Sequence, residues 1–527
     1  MRYKSSLFFC LLLIGVVGIS CFGQPGPKGK WEPEDAEEHY KHQNYMMALP
    51  MYRELIKREP NETDYQYRLA YCYLHTNFDK KAAIPLLEKV VKEPKCPTDA
   101  WYWLGKAYHL DNKFDLAIKA YTSYKELMVK AKNKEEAEKT DHLMEQCTNA
   151  RALIKHPINI TFTNAGPEVN SEYPDYYPWT TSDEQSLFFT SRRKGGHASQ
   201  VESDGLFSSD CYSASVMDGK WAKAQNLGST INTGLDEQIV GIRPDGTQLV
   251  VYIDHITELE DLYISKKKPN GFGKIEKLSE NANKEKEYSG SIFETEDGPI
   301  LYFVRKGKDC VGESDIFTAR QLPTGAWGIP RNIGTKINTK YKEDFPWLSM
   351  DGKTLYFASE GHSSMGGFDL FKSSWDDGEN AWTEPVNLGY PLNTSDDERQ
   401  ISILPDNRAG YVSAVRPGGL GDLDIYRIKF EDNEQRFSVY KGRILRSDTL
   451  SKEEIQVTIF ATNVKTNEEE TFLSNRSNGK YLMALLPGSY KIKVTCDGYQ
   501  DVSENLIVFE FGIVKGENIK DYKIKKK

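Results

Sequence analysis

Between residues 172 and 430, the apolar and polar positions repeat one pattern with a period of roughly 50 residues. In the clearest copy, Asp351 and Gly352 precede the apolar run 355–357 (Leu-Tyr-Phe), and the run 369–371 (Asp-Leu-Phe) follows. Asp-Gly favours a tight turn between two strands, and the aromatic runs have strand propensity without a helical period. Five copies of this unit predict an all-β, five-bladed propeller.

Each copy also carries an acid at the start of a later strand. These acids are Asp210, Asp261, Asp315, Asp369 and Asp424. The last copy has no closing strand, whereas residues 158–171, ahead of the first copy, carry the missing pattern. This displacement predicts a propeller over residues 158–431 whose ring is closed by its N-terminal strand, so that no sheet edge is left open.

Upstream of the propeller, residues 31–157 show helical spacing of their apolar positions. The segment 101–108 matches W-x2-L-G-x2-Y, the first-helix pattern of a tetratricopeptide repeat. Leu69 and Tyr73 hold the equivalent positions one repeat earlier. The sequence therefore predicts an all-α region of three tetratricopeptide repeats, the first degenerate, followed by a charged helix over residues 134–154.

Downstream of the propeller, residues 436–511 alternate as short strands. The succession Gly-x-Tyr at 479–481, Leu-Pro-Gly-x-Tyr at 486–490 and Gly-Tyr at 498–499 resembles a carboxypeptidase regulatory-like domain. That resemblance implies a small β-sandwich of the transthyretin type. Residues 512–527 are predicted to form a solvated polar tail.

The N-terminus carries the pattern of a targeting segment. Arg2 and Lys4 precede an apolar run that is shorter than a membrane-spanning helix requires. Residues 1–23 are therefore predicted to be a signal peptide, with cleavage ahead of Gln24. The alternative is a lipoprotein signal in which Cys21 becomes the lipidated N-terminus. Both alternatives predict an exported protein, either in the periplasm or at the periplasmic face of the outer membrane.

Length, net charge and cysteine spacing limit the classes of protein to which this chain could belong. A chain of 527 residues is long enough for about three domains. The net charge of −9 and the isoelectric point near 5.7 argue against a nucleic-acid binder. The cysteines beyond the N-terminal segment are widely spaced and show no zinc-binding pattern, and the sequence does not indicate which of them could form a disulfide.

The sequence contains no nucleophile elbow, no phosphate-binding loop and no paired zinc ligands. The histidines His197, His255 and His362 recur at no fixed blade position. The five repeated acids could form a ring of metal ligands, but one acid per blade at the same turn favours a structural role. We therefore predict no catalytic, cofactor-binding or metal-binding residue and no cofactor.

Two local features remain candidates for contacts or modification. The first blade carries an insertion over residues 195–206, which is either a partner-contacting loop or a tolerated surface insertion. The triplet Asp448-Thr449-Leu450 resembles a bacterial O-glycosylation acceptor.

The order of modules resembles envelope proteins of the OmpA-family type, some of which are accessory components of type IX secretion and gliding machinery. The OmpA-like peptidoglycan-binding domain of such proteins is not expected here, because only about sixteen residues follow Phe511. The resemblance implies a non-enzymatic scaffold that binds protein partners, in an outer-membrane complex. Two hypotheses compete with it: a glycan- or peptidoglycan-binding protein, and a hydrolase with its active site in the propeller.

Overall fold

The computed structural model describes residues 31–197, 200–254, 261–431, 437–447, 454–508 and 518–527. The predicted signal peptide, Cys21 and the triplet 448–450 lie outside these residues. The described chain contains a helical region, five antiparallel sheets arranged as blades, and a two-sheet sandwich. The predicted fold class, with all-α repeats, an all-β propeller and a small sandwich, is confirmed.

Seven α-helices form the N-terminal region. Their bounds are α1 (Pro33–Lys41), α2 (Tyr45–Arg58), α3 (Thr63–Leu74), α4 (Ala83–Val90), α5 (Ala100–Leu110), α6 (Phe114–Lys130) and α7 (Lys134–Leu153). Small residues allow the paired helices to approach closely. A Cβ atom added to Gly105 of α5 would lie 2.5 Å from the Tyr121 ring of α6, so only glycine fits there. Ala48 of α2, Ala83 of α4 and Ala117 of α6 are fully buried as well.

The propeller strands are bounded by short turns, as the repeat predicts. The first blade contains β2 (Asp175–Thr180), β3 (Ser186–Ser191), β4 (Asp210–Met217), β5 (Lys220–Trp221) and β6 (Gln225–Asn226). The second contains β7 (Asp236–Ile242), β8 (Gln248–Asp254), β9 (Asp261–Lys268), β10 (Gly271–Phe272) and β11 (Glu276–Lys277). The third contains β12 (Lys286–Thr295), β13 (Gly298–Lys306), β14 (Asp315–Arg320) and β15 (Arg331–Asn332). The fourth contains β16 (Glu343–Leu348), β17 (Thr354–Ser359), β18 (Asp369–Asp376), β19 (Ala381–Trp382) and β20 (Val386–Asn387).

The fifth blade closes the ring as predicted. Its strands β21 (Ile401–Ile403), β22 (Ala409–Ala414) and β23 (Asp424–Phe430) are completed by β1 (Ile160–Asn164). Strand β1 pairs antiparallel with β23, from Ile160 opposite Phe430 to Asn164 opposite Tyr426. The N-terminal strand thus covers the edge that the last copy leaves open.

Adjacent blades meet closely through their first strands. A Cβ atom added to Gly241 of β7 would lie 1.9 Å from the Gly290 carbonyl oxygen of β12. The Trp179 indole of β2 donates a 3.0 Å hydrogen bond to the Ile239 carbonyl of β7 and is fully buried. Aromatic side chains and glycines therefore fit the blades together around the ring.

The C-terminal domain is a sandwich of two four-stranded sheets. Its strands are β24 (Ser438–Arg446), β25 (Thr458–Asn463), β26 (Glu469–Leu473), β27 (Lys480–Leu485), β28 (Gly488–Thr495), β29 (Val502–Val508), β30 (Asn518–Ile519) and β31 (Tyr522–Ile524). One sheet has the order β26-β25-β28-β29. In the other, β24 pairs with β27, β30 and β31.

The described part of the tail predicted for residues 512–527 is not a solvated tail. Residues 518–527 return to the sandwich, where β31 pairs parallel with β24 from Ile444 opposite Tyr522 to Arg446 opposite Ile524. Tyr522 and Ile524 are 3% and 1% exposed. The prediction was wrong because the lysines mask a short alternation in which every second side chain is apolar.

The three domains share one apolar core. Buried helix residues, Met365 of the fourth blade and the sandwich interior belong to a single cluster of contacting side chains. Helix α7 packs directly against β27. Within the described residues, no helix combines the length and the apolarity that crossing a membrane would require.

Candidate functional site

A row of aromatic rings runs across three successive helix pairs. Its members, called the aromatic row below, are Tyr40, Tyr45, Tyr71, His75 and Trp103. The Tyr71 and His75 rings stack with centroids 3.8 Å apart, and the Trp103 ring meets both of them edge-on at 4.8 Å. The Tyr40 and Tyr45 rings contact Tyr71 at 5.4 and 5.5 Å. The row is thus one continuous surface rather than a set of separate side chains.

The aromatic row is held in place by polar contacts and remains neutral. Asp99 accepts hydrogen bonds from the Tyr67 hydroxyl at 2.7 Å and from the Trp103 indole at 3.1 Å. Burial raises the pKa of Tyr45 to about 12 and also raises the pKa of Tyr71. Neutral rings fixed by neighbours lose little entropy when a partner covers them.

Part of this surface remains open to solvent. His75 is exposed, and the other four rings of the row are only partly buried. Two apolar side chains close to the row in sequence, Met46 next to Tyr45 and Phe78 three residues after His75, are 38% and 46% exposed. Large apolar groups that stay exposed beside ordered aromatic rings are typical of protein-binding surfaces.

The helical array also packs against the propeller. A junction loop, residues 360–365, follows β17 and lies against α5 and α7. Asn149 donates a 2.9 Å hydrogen bond to the Ser364 carbonyl, and Gln146 donates a 3.0 Å hydrogen bond to the Ser364 hydroxyl. Met365 is fully buried among the helices. This loop therefore holds the propeller against α5 and α7.

Two neutral histidines fix this junction. His109 Nε2 lies 2.9 Å from the Met365 carbonyl oxygen, and His142 Nε2 lies 2.7 Å from the Glu360 carbonyl oxygen. A carbonyl only accepts, so each Nε2 donates, and both Nδ1 atoms are buried without a hydrogen-bond partner among the described residues. Burial lowers the pKa of His109 to about 3 and that of His142 to about 4. Protonation would place a charge and an unpaired N–H in the junction.

Further contacts connect the ends of the helices to the propeller. Asn77 donates a hydrogen bond to Asp422, and Lys80 forms an ion pair with Asp396. The insertion of the first blade also reaches the helices, because a Cβ atom on Gly205 would lie 2.6 Å from the Asn44 amide nitrogen. The described part of this loop therefore makes an intramolecular contact.

The repeated acids belong to a hydrogen-bonded unit within each blade, called the blade clasp below. In the fourth blade, Asn387 donates to the Asp369 carboxylate at 2.6 Å and accepts from Gly389 and Asn393. Asn393 in turn accepts from the Leu370 amide at 2.8 Å. The equivalent pairs of asparagines are Asn226 and Asn232, Asn332 and Asn338, and Asn164 and Asn170.

The second blade departs from this pattern. Asp261 forms an ion pair with Lys277, and Asn283 accepts from the Leu262 amide at 2.9 Å. Each of the five repeated aspartates therefore stabilises its own blade, through hydrogen bonds or, in the second blade, an ion pair. In the described ranges, no group of three or more His, Cys, Asp or Glu side chains is arranged to hold a metal ion.

A second repeated acid was not predicted from the sequence. Glu343 accepts from the Thr339 amide at 2.9 Å and from the Thr339 hydroxyl at 2.8 Å, and Glu398 is held in the same way by Thr394. Burial raises the pKa of Glu343 to about 7. The Thr-x3-Glu spacing is the signal that could have identified these turns.

All six cysteines in the described residues are free, and three of them, Cys72, Cys147 and Cys211, are buried.

The aromatic row and the junction were not predicted either. A partial signal lies in α3 and its C-cap residue, where Tyr67, Tyr71 and His75 follow one another at four-residue intervals and therefore share one helix face. The junction loop carries no comparable signal, because three of its hydrogen bonds to the helices are accepted by main-chain carbonyls, which any residue supplies.

Comparison with known proteins identifies the helical region. A family model for the tetratricopeptide repeat matches residues 35–99 and 79–128. The N-terminal region therefore consists of tetratricopeptide repeats, as the sequence predicts. No curated protein matches the chain.

Several solved propeller structures resemble part of the chain. TolB from Acinetobacter baumannii is 12% identical, with a TM-score of 0.32 over 55% of this chain and 70% of that one. An endo-arabinase from Bacteroides thetaiotaomicron is 12% identical, with a TM-score of 0.35 over 52% of this chain and 98% of that one. At these scores neither likeness bears on the function of the chain.

Proposed function

We propose that the protein is a non-enzymatic scaffold of the cell envelope that binds a protein partner through its tetratricopeptide repeats. The observation that carries the proposal is the aromatic row, which is ordered by its own ring contacts and partly open to solvent. Stacked helix pairs provide extended surfaces of this kind for segments of other proteins. The propeller braces the array through the junction loop and at residues 44, 77 and 80, and the sandwich braces it through α7.

The proposal extends to the location of the protein. The N-terminal sequence favours export, and the order of modules favours a partner in an outer-membrane complex of the type IX secretion or gliding class. Lipidation of Cys21 would attach the scaffold to a membrane, whereas cleavage ahead of Gln24 would release it into the periplasm.

The test is affinity capture from gently crosslinked cell envelopes, with the tagged full-length protein as bait. A Tyr71→Ala/Trp103→Ala variant removes two central rings of the aromatic row, and we expect it to lose the partner because aromatic anchors dominate such interfaces. The matched control is Trp221→Ala, which removes a partly buried ring from the first blade. Equal recovery of the same proteins by all three baits would contradict the proposal.

One observation favours glycan binding as a second candidate function. A cavity of about 670 Å³ lies between the helical residues Asn77 and Lys80 and the propeller. Its wall includes Tyr176, Tyr177 and Arg399, which can stack on a sugar ring and donate hydrogen bonds to it. Saturable binding of purified cell-wall glycan, lost on Tyr176→Ala substitution, would establish this function; equal retention by both proteins would exclude this site.

A further inference from the structure

A second cleft, of about 600 Å³, lies where the three domains meet. Helix α7 contributes His142 and Glu145, and the connection between the third and fourth blades contributes residues 335, 336 and 339–341. The sandwich completes the wall with β24, β27 and the C-terminal segment. The cleft exists only because the three domains are packed together, so it is a property of the whole chain.

The charge of this cleft is opposite to that of the protein. The chain carries a net charge of −9. The cleft, in contrast, is lined by five cationic side chains and three acidic ones. The cationic residues are Lys336, Lys340, Lys441, Arg443 and Lys480, and the acidic residues are Glu145, Glu384 and Asp521. A positive concave patch on an acidic protein favours an anionic partner.

The acidic side chains of the cleft pair with only some of its cationic side chains. Lys480 pairs with Glu145 at 2.9 Å, and Lys441 lies 3.7 Å from Glu384. The Asp521 carboxylate accepts a 2.8 Å hydrogen bond from a backbone amide, that of Arg443.

The exposed side chains of Lys336, Lys340 and Arg443 form no ion pair within the described ranges. They are therefore the groups in the cleft that are available to an incoming anion.

Apolar surface lies beside these cations. The Lys340 ammonium sits 5.0 Å from the centre of the Tyr341 ring, which stacks on His142 at 3.8 Å. Ile519 forms part of the same wall and is 66% exposed. A ligand that combines carboxylates with apolar side chains matches this mixture of groups better than a simple anion does.

We propose that the cleft is a second docking surface, which binds an acidic segment of a partner protein. The inference rests on the proposed scaffold function and adds the chemistry of one partner segment. An extended chain can enter a recess between three domains, whereas a flat layer of lipid headgroups would meet only its rim. Lys336, Lys340 and Arg443 would pair with carboxylates while Tyr341 and Ile519 cover apolar side chains.

The test measures binding of a fluorescent Glu/Tyr peptide to the full-length protein by anisotropy. We expect binding that weakens as salt rises from about 0.05 M to about 0.5 M, because exposed ion pairs are screened. The Lys336→Glu/Lys340→Glu variant should bind at least about tenfold more weakly, which corresponds to about 1.4 kcal/mol. The matched control, Lys220→Glu/Lys223→Glu, changes the same number of exposed charges on the first blade and should bind normally.

Peptide sequence provides the second control. A peptide in which every Glu is replaced by Lys should bind poorly to the native protein and better to the Lys336→Glu/Lys340→Glu variant. The proposal is overturned if the acidic peptide does not bind the native protein, or if the cleft variant and the blade variant bind it equally. Because Tyr71 and Trp103 lie outside the cleft lining, failure here would leave capture through the aromatic row unaffected.

Discussion

Acidification should detach the helical repeats from the propeller before it unfolds the propeller strands. The perturbation is a change from about pH 7.5 to about pH 5. His109 is 1% exposed and has a folded pKa of about 3, whereas a solvated histidine titrates near 6.5. Between these values the detached state binds the proton and the docked state does not, so docking weakens as the pH falls.

The size of the effect follows from the pKa difference. At about pH 5 the His109 site has lost about 2 kcal/mol of docking free energy, at 1.36 kcal/mol for each pH unit below 6.5. His142, with a pKa of about 4, changes docking in the same direction. The nearby charges Lys106 and Asp396 face His109, and Glu145, Lys340 and Lys480 face His142.

Buried acids of the propeller make the blades more stable as the pH falls, which is opposite to the effect on docking. The assay must therefore follow individual helices and strands and not the stability of the whole protein. Burial raises the pKa of Glu343 to about 7, and protonation of this group as the pH falls favours the folded blade. Hydrogen–deuterium exchange separates the two effects. Peptides from α5 and α7 should exchange faster at about pH 5, after correction for intrinsic rates, while β17 keeps its protection.

The controls for this prediction are two glutamine substitutions. His109→Gln replaces the titrating ring with an amide that can donate to the Met365 carbonyl, so the pH response of α5 should become smaller. His42→Gln changes an exposed histidine at the end of α1 and should leave the response intact. Unchanged protection of α5 and α7 at acid pH, or an unchanged response in His109→Gln, would refute the reasoning.

Three substitutions test the packing, and a fourth, Lys525→Ala, is the control for one of them. Asn387→Ala in the blade clasp leaves buried partners unpaired, and we expect it to lower the free energy of unfolding by about 1–3 kcal/mol in urea. Gly241→Ala forces a Cβ atom against the Gly290 carbonyl and should lower the melting temperature, whereas a neutral result would contradict the close contact between blades. Ile524→Ala should lower the free energy of unfolding by about 2–5 kcal/mol, and Lys525→Ala should lower it by less than about 0.5 kcal/mol. Equal effects of the two substitutions would contradict the insertion of Ile524 into the sandwich and favour a solvated tail.

The propeller could be predicted from the sequence because each blade carries its own turn residues and strand pattern. Asp351-Gly352 and the aromatic run after it act locally, and five copies reinforce the same interpretation. Ring closure by β1 was predictable for the same reason, since a missing closing strand has to come from elsewhere in the chain. The tetratricopeptide repeats were predictable because helix–helix packing requires large and small residues at fixed positions. Residues 101–108 and the buried alanines Ala48, Ala83 and Ala117 show this pattern.

The aromatic row and the cationic cleft were not predictable from the sequence, because they depend on tertiary contacts. Tyr40 and Trp103 are far apart in sequence and join one row only when their helices stack. The cationic cleft combines lysines from the propeller and the sandwich that no local pattern connects. In the C-terminal segment, the many lysines concealed the two apolar side chains that insert beside β24.

The most direct test of the scaffold function is site-specific photo-crosslinking in the cell envelope. A photoreactive phenylalanine at Phe78, which is 46% exposed and follows His75 by three residues, reports on solvent-exposed surface of the same helical repeat as Tyr71 and His75. The same group at Ile329, which is 83% exposed on the propeller, is the control. We predict a protein adduct of one defined mass from Phe78 and none from Ile329. Absence of a protein adduct at Phe78, or identical adducts at both positions, would contradict a protein-binding role for the helical repeats.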